Sequence, residues 1–370
     1  MIELHNDTIK LIKLLENCNL NVTKVAKITE NKYFMKLYNT FKKLYNKISI
    51  DDNIHIENIT ESPDFYLTDN DFTSDEIKLY ILSNLKNGYK IIFENNTIIY
   101  FTKKNKVNLS LVKHMFRIIY ILKNIFNRGY KSQTIIFFET DKKKKFPIKK
   151  KILGPNEINS GLTILDLHKN GNIILYRKEE VLKVLIHELV HSNLIDQKLI
   201  FSRNNNYFNK LICVNYDIVI NEAFTEFFAL ILNIFYINNV NNFKINNLNT
   251  MFNNELKYSF YISSKIFKYY NINNINEIIK NNNNCKITFL QNTNIFSYYI
   301  LKKLLLKDHL IIGKILDKYS ENYKINNRIC INKIIDLLII NIEQIKNNKY
   351  NTFDFYKNNS LRLCLYELKL

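Results

Sequence analysis

Two histidines stand four residues apart with a glutamate beside the first: His187, Glu188 and His191 in VLIHELVHSNLIDQ, an otherwise apolar run. With 7 histidines in 370 residues, chance is a poor account of that spacing. On a helix, residues four apart share a face on adjoining turns, so both imidazoles can aim at one point. Neutral imidazole is a good zinc ligand, and a catalytic zinc takes a third protein ligand while keeping one position open for water. A carboxylate beside the first histidine can take a proton from that water and hand it to a leaving amine. The same trio can also be a surface cluster or a satisfied polar patch in a core. Its flanks favour a buried site that needs partners: Val184, Leu185, Ile186, Leu189, Val190, Leu194 and Ile195 surround it, and polar groups buried unpaired are costly.

A second stretch offers those partners. NEAFTEFFALIL places Glu222 and Glu226 four apart, on one face of another apolar helix, with Asn221 just before them. Glu222 is the candidate third ligand. Glu226, one turn on, can accept a hydrogen bond from the non-ligating nitrogen of a histidine and so set its tautomer. The surrounding run, Ile218 to Ile237, has the length of a bilayer span. Two intramembrane carboxylates would be expensive, so it reads as a buried helix and no membrane span is expected.

HELVH followed by NEAFTE resembles the gluzincin zinc metallopeptidases, in particular the thermolysin-like pattern of HExxH and, on a later helix, NExxSD. Asn221, Glu222, Thr225 and Glu226 match the second motif, with Thr in the Ser position and Glu in the Asp position. The resemblance implies one Zn²⁺ held by His187, His191 and Glu222, with Glu188 as general base and Glu226 and Asn221 supporting the ligands from behind. It also implies a zincin-like fold whose edge strand aligns the substrate backbone, for which Asn159, Ser160 and Gly161 in NSGLT are the candidates. The family supplies a Tyr or His to the tetrahedral oxyanion. Here NTNIFSYYILKKLLLKDHL offers Tyr298 and Tyr299, then His309. Taken with a strong Asn/Ile/Lys bias, the chain looks similar to the gluzincin-type peptidases of large DNA viruses.

These side chains need a frame. Periodicity predicts helices from Thr8 to Leu15 and from Lys32 to Ile48, then an irregular polar region to about residue 72. Thr73 with Glu76 reads as a capping box for the helix in SDEIKLYILSNLKN, with Gly88 as its stop. YKIIFENNTIIYFTKK reads as a hairpin around Asn95 and Asn96, residues 107 to 127 as a helix, and QTIIFFET as a buried strand. NEINSGLTIL and GNIILYR read as two more strands, the second leading into the motif helix; beyond residue 200 the pattern is helical with Asn-rich loops. The expected class is α+β, with a small β-sheet lobe before the active-site helix and a mostly α-helical C-terminal lobe. Three regions follow: a mainly helical 1–72, an α+β lobe over 73–200 ending in the HExxH helix, and a helical lobe over 201–370 carrying Glu222.

An apolar content of 46% is enough for a substantial core. Lys and Arg outnumber Asp and Glu by 53 to 34, a formal charge of +19 that favours acidic partners or nucleic acid, although an AT-rich genome accounts for part of it. The segment KKKKFPIKKK, beginning at Lys142 and including Lys143, Lys144 and Lys145, reads as a solvated hairpin tip or a patch for such partners. Cys18, Cys213, Cys285, Cys330 and Cys364 lie far apart without CxxC spacing, which predicts neither a disulfide framework nor a thiolate zinc site. Together with an N-terminus lacking a signal-peptide pattern, this leads to an expectation of a cytoplasmic location, host cytoplasm or virion for a viral chain. The leading expectation is a zinc metallopeptidase acting on a peptide or protein substrate. The alternatives are a basic nucleic-acid- or protein-binding viral factor on a metallopeptidase-like fold without turnover, which leaves Glu188 unexplained, and a zinc hydrolase of non-peptide amides or esters.

Overall fold

The β-rich runs before residue 180 assemble into one six-stranded sheet. The computed structural model describes residues 2–18, 26–50, 53–67, 70–126, 132–164, 172–193, 195, 208, 210–279, 289–321, 323, 327–344 and 358–370. Strands β1 (His55–Ile59), β2 (Asn87–Phe93), β3 (Asn96–Thr102), β4 (Thr134–Phe138), β5 (Gly161–Ile164) and β6 (Asn172–Leu175) lie in the order β1-β2-β3-β4-β6-β5. The β2–β3 hairpin turns at Glu94 and Asn95, with Glu94 at φ 51°. β3, β4 and β6 are parallel, while β5 runs antiparallel to β6 at the edge.

Both faces of the sheet are covered, which is why QTIIFFET is apolar throughout rather than alternating. Ile98, Tyr100, Ile135, Phe137, Ile173 and Leu175 face the main core. Their neighbours Ile99, Phe101, Ile136, Phe138, Ile174 and Tyr176 face a smaller one, closed by Ile77 and Ile81 of α3 (Asp75–Asn84). The main core is helical. It is built from α4 (Leu109–Phe126), α6 (Val181–Ser192), α7 (Ile220–Val240), α8 (Asn247–Tyr269), a π-helical turn (Phe296–Leu301), α9 (Lys302–Lys307), α10 (His309–Tyr319) and α11 (Arg328–Gln344). From the N-terminal region, α1 (Asn6–Glu16) packs on α8, and α2 (Lys32–Lys47) packs on α4, α7 and α10. The protein is therefore α+β, with its described strands before α6 and a mostly helical C-terminal part. Helix α7 is long and apolar enough to cross a bilayer, but 94% of its apolar stretch is buried inside the protein.

An extended C-terminal segment threads this core, and buried side chains satisfy its backbone. Glu180 accepts from the amides of Leu363 (3.1 Å) and Cys364 (2.6 Å). Glu255 accepts from those of Leu365 and Tyr366, and Thr8 donates to the Leu365 carbonyl.

Several local expectations are corrected. Residues 55–59, read as irregular, form β1, an edge strand whose exposed His55 and Ile56 leave no alternating pattern to recognise. The cap of α3 is Ser74, accepting from the Ile77 amide, while Glu76 turns away to Lys142 and Asn156. Gly88 does not stop that helix, which ends at Asn84. It lies in β2, where an added Cβ would sit 2.6 Å from Ile59 and 2.8 Å from Phe101. The first half of NEINSGLTIL is a helical turn, α5 (Pro155–Ile158), so Asn159 and Ser160 precede the strand that Gly161 begins. The lysine segment is solvated at Lys145, Lys149 and Lys150 but is tied to the protein at its start. Lys142 pairs with Glu76, Lys143 with Asp7, and Lys144 is fully buried against Glu180 at 2.9 Å. Cys213 is disulfide-bonded, where the spacing predicted no disulfide framework.

The edge strand reaches α6 only because residue 161 has no side chain. A Cβ on Gly161 would lie 2.8 Å from the carbonyl oxygen of Ile174 and 3.2 Å from Val184 of α6. Gly161→Ala should lower unfolding free energy by about 1–3 kcal/mol, since neither the backbone nor the helix can give way cheaply. A chemical denaturation curve with an unshifted midpoint would show that the strand is not held this tightly.

Candidate functional site

Helices α6 and α7 pack against each other, and their facing turns bring together the polar groups of both motifs. His187 Nε2 and His191 Nε2 are 3.1 Å apart, and Glu222 Oε2 lies 3.4 Å from each. Among the described residues this is the one group of three or more such side chains whose ligand atoms converge. The carboxylate oxygen is buried and has no hydrogen-bond partner, although it faces two imidazoles. In a tetrahedral zinc site with ligand bonds of roughly 2.0–2.1 Å, neighbouring ligand atoms are about 3.3–3.4 Å apart. The His-His-Glu triangle thus fits zinc in donor type and size. Burial works to raise the Glu222 carboxyl, but His191 and His187 outweigh it and hold the group well below the usual carboxylate range.

Behind His187 sits Glu226, fully buried on α7. Its Oε2 accepts from His187 Nδ1 at 2.9 Å, which leaves Nε2 as the nitrogen turned toward His191 and Glu222. The other oxygen, Oε1, is ion-paired with Lys183 on α6, and Lys302 Nζ is 3.8 Å away. Burial again opposes ionisation, yet Lys183, His187 and Lys302 keep this carboxyl strongly depressed. Lys183 stands one turn before His187, so Lys183, His187 and His191 line one face of α6 at four-residue steps. That lysine was legible as a lone cation in an apolar helix. Lys302, beginning α9 after a long Asn-rich interval, carried no such signal.

Glu188 points to the sheet. Thr163 of β5 donates to Glu188 Oε2 at 2.8 Å and approaches its carbonyl at 3.0 Å. Burial raises the Glu188 carboxyl above its ordinary range, with His187, His191 and the Thr163 hydroxyl acting against it. A carboxylate so placed is a stronger base toward water. Beside it lies a cavity of about 30 Å³, lined by Ser160, Gly161, Val184, His187, Glu188 and Tyr298 among others, large enough for a water and little more. The Ser160 hydroxyl is buried there without a partner. A larger cavity of about 250 Å³ opens at the N-terminal end of α6, by Glu179 and the C-terminal residues, away from the triad.

The structure separates the three oxyanion candidates. Tyr298 lies against the site, its ring centroid 6.0 Å from that of His187, and burial with Glu222, Glu188 and Glu226 nearby keeps its phenol protonated. Tyr299, the next residue on the π-helical turn, points elsewhere and donates to the Leu361 carbonyl at 2.6 Å. His309 is buried against Phe252 at the start of α10 and bonds the Leu306 carbonyl, so it too lies outside the site. Asn221 is buried on the first turn of α7, beside Glu222. Asn159, rather than facing outward, bonds Thr293 and the Phe72 carbonyl and accepts from Arg177.

Comparison with known proteins adds little chemistry. No family model matches the chain, and no solved structure matches it. It is similar to "Uncharacterized protein R210" of Acanthamoeba polyphaga mimivirus, at 33% identity over 215 residues, 55% of this chain. The chain spans about half the length of that relative, 53%.

The two tyrosines should separate in stability. Tyr299→Phe leaves the buried Leu361 carbonyl without its donor and should cost about 1–3 kcal/mol, whereas Tyr298→Phe should cost little. Urea unfolding of the two variants decides it, and equal losses would mean that the hydroxyl of Tyr299 is not the structural one.

Proposed function

We propose that this protein is a zinc-dependent metallopeptidase of the gluzincin kind, with His187, His191 and Glu222 as metal ligands and Glu188 as general base. The observation that carries the reading is the triangle of 3.1, 3.4 and 3.4 Å between three donor atoms, one of them an orphaned buried carboxylate oxygen. A zincin-like fold is part of the same proposal, supported by an edge strand lying against the motif helix.

Zinc in such a site supplies a Lewis acid that polarises a carbonyl and makes water acidic near neutral pH. The chain's own residues do the rest. Glu188, held by Thr163 and kept basic by burial, accepts the proton of the attacking water and returns it to the leaving amine. Tyr298 keeps its hydroxyl proton and can donate a hydrogen bond to the oxygen that gains charge. Strand β5 pairs on one side with β6 and, among the described residues, has no partner strand on the other, so a peptide can add there as a further strand. The mimivirus relative supports a viral setting for this activity. A basic factor without turnover is the weaker reading, because Lys142, Lys143 and Lys144 are already paired within the chain.

Two substitutions test the assignment by splitting metal from chemistry. Glu188→Gln keeps the shape and the three ligands, so zinc should remain at about one per chain while peptide hydrolysis falls about 10³-fold or more. Glu222→Ala should lose zinc and activity together, with thermal stability reduced by the lost binding free energy. The readouts are elemental analysis by mass spectrometry and cleavage of a peptide library. Wild-type protein purified without chelators and found to lack stoichiometric zinc would sink the proposal.

A further inference from the structure

We infer that Lys183 and Lys302 are positioning residues for the metal site: they hold Glu226 at one oxygen so that its other oxygen keeps His187 aimed at the ligand triangle. The inference rests on the metallopeptidase reading for its purpose, but not for its geometry.

Glu226 is 0% exposed and is gripped at both ends, His187 Nδ1 on Oε2 and Lys183 Nζ on Oε1. Rotating the carboxylate would break both contacts at once. A glutamate has three side-chain torsions to fix, and a single bond to the histidine would leave that orientation soft. The ammonium groups remove the freedom. Lys183 is 2% exposed, and Lys302 is 0% exposed. Lys302 is itself anchored, donating to the Leu363 carbonyl at 2.7 Å with its Nζ 5.8 Å from the centre of the Tyr299 ring. The support therefore runs from the C-terminal segment through Lys302 and Glu226 to His187.

Stability alone does not account for these groups. Two ammoniums and a carboxylate pay a large desolvation cost, and an apolar set of similar volume is often as stable or more so. The geometry has a use instead. Groups that orient a ligating histidine from behind typically change metal affinity 10–100-fold when removed, and Lys183 and Lys302 stand one step further back on the same chain of contacts. Of the two, Lys183 makes the closer contact and should matter more.

The test is zinc affinity, measured by competition with a fluorescent chelator, in Lys183→Met and Lys302→Met. Lys183→Met should weaken zinc binding about 10-fold or more, and Lys302→Met by less. Because the lysines act through Glu226, adding Lys183→Met to Glu226→Gln should cause no further loss. Selective ¹⁵N-histidine spectra of the metal-free protein, recorded at a pH high enough to keep the ring neutral, give a readout that needs neither zinc nor turnover: His187 should be a single Nδ1–H tautomer in the wild type and mixed in Lys183→Met. Should Lys183→Met fail to fold, Lys302→Met carries the same measurements. Unchanged zinc affinity in a folded variant, or losses that add in the double mutant, would overturn the inference. If the wild type binds no zinc, the metallopeptidase reading fails, and the histidine spectra still decide whether the clamp exists.

Discussion

A carboxylate without access to water governs the centre of this molecule. Glu226 cannot remain charged in the core unless other charges meet it there, and it is met by Lys183 and His187 from α6 and by Lys302 from α9. Satisfying it sets the register of α6 against α7, because the contacts come from successive turns of one face. The same register brings Glu222, one turn earlier on α7, opposite His187 and His191. The triangle of His187, His191 and Glu222 thus follows from how a buried charge is satisfied.

The principle recurs behind the site. Glu180, at the left-handed φ of 59° that precedes α6, joins Lys144 to the amides of Leu363 and Cys364, and its neighbours hold its carboxyl down to about 2 against the effect of burial. Glu255 is met by backbone amides, and burial outweighs these and the charge of Lys302 to push its carboxyl up to about 7. Both glutamates replace, for an extended C-terminal segment, the strand partner that would otherwise have paired its N–H groups. The tail is consequently part of the core, and through Lys302 it touches the support of His187.

The sheet contributes by what it places at its edge. Covered on one face by α3 and on the other by the helical core, it carries β5 past α6 at its edge. There a single hydroxyl, Thr163 of β5, holds Glu188 of α6. Glu188 and His187 are adjacent in sequence but are met by different elements, Glu188 by Thr163 of β5 and His187 by Glu222 and Glu226 of α7.

What was legible in the residues by themselves was what helical periodicity makes local. HELVH and NEAFTE each define one face of one helix, so the association of His187 with His191, and of Glu222 with Glu226, needed no tertiary knowledge. The α+β class was also readable, because buried strands and long apolar helices differ in run length and β-branched content. Other features depend on what lies opposite, which spacing does not encode. Tyr298 and Tyr299 are equivalent in the chain, and only packing turns one to His187 and the other to the Leu361 carbonyl. The start of the lysine run looks like a basic patch until Glu76, Asp7 and Glu180, distant in sequence, pair with Lys142, Lys143 and Lys144. Gly88 reads as a helix stop, whereas its reason is the closeness of Ile59 and Phe101. Lys302 is one lysine among many until the fold carries it to Glu226, because a charge in a core is defined by its partners and those come from the whole chain.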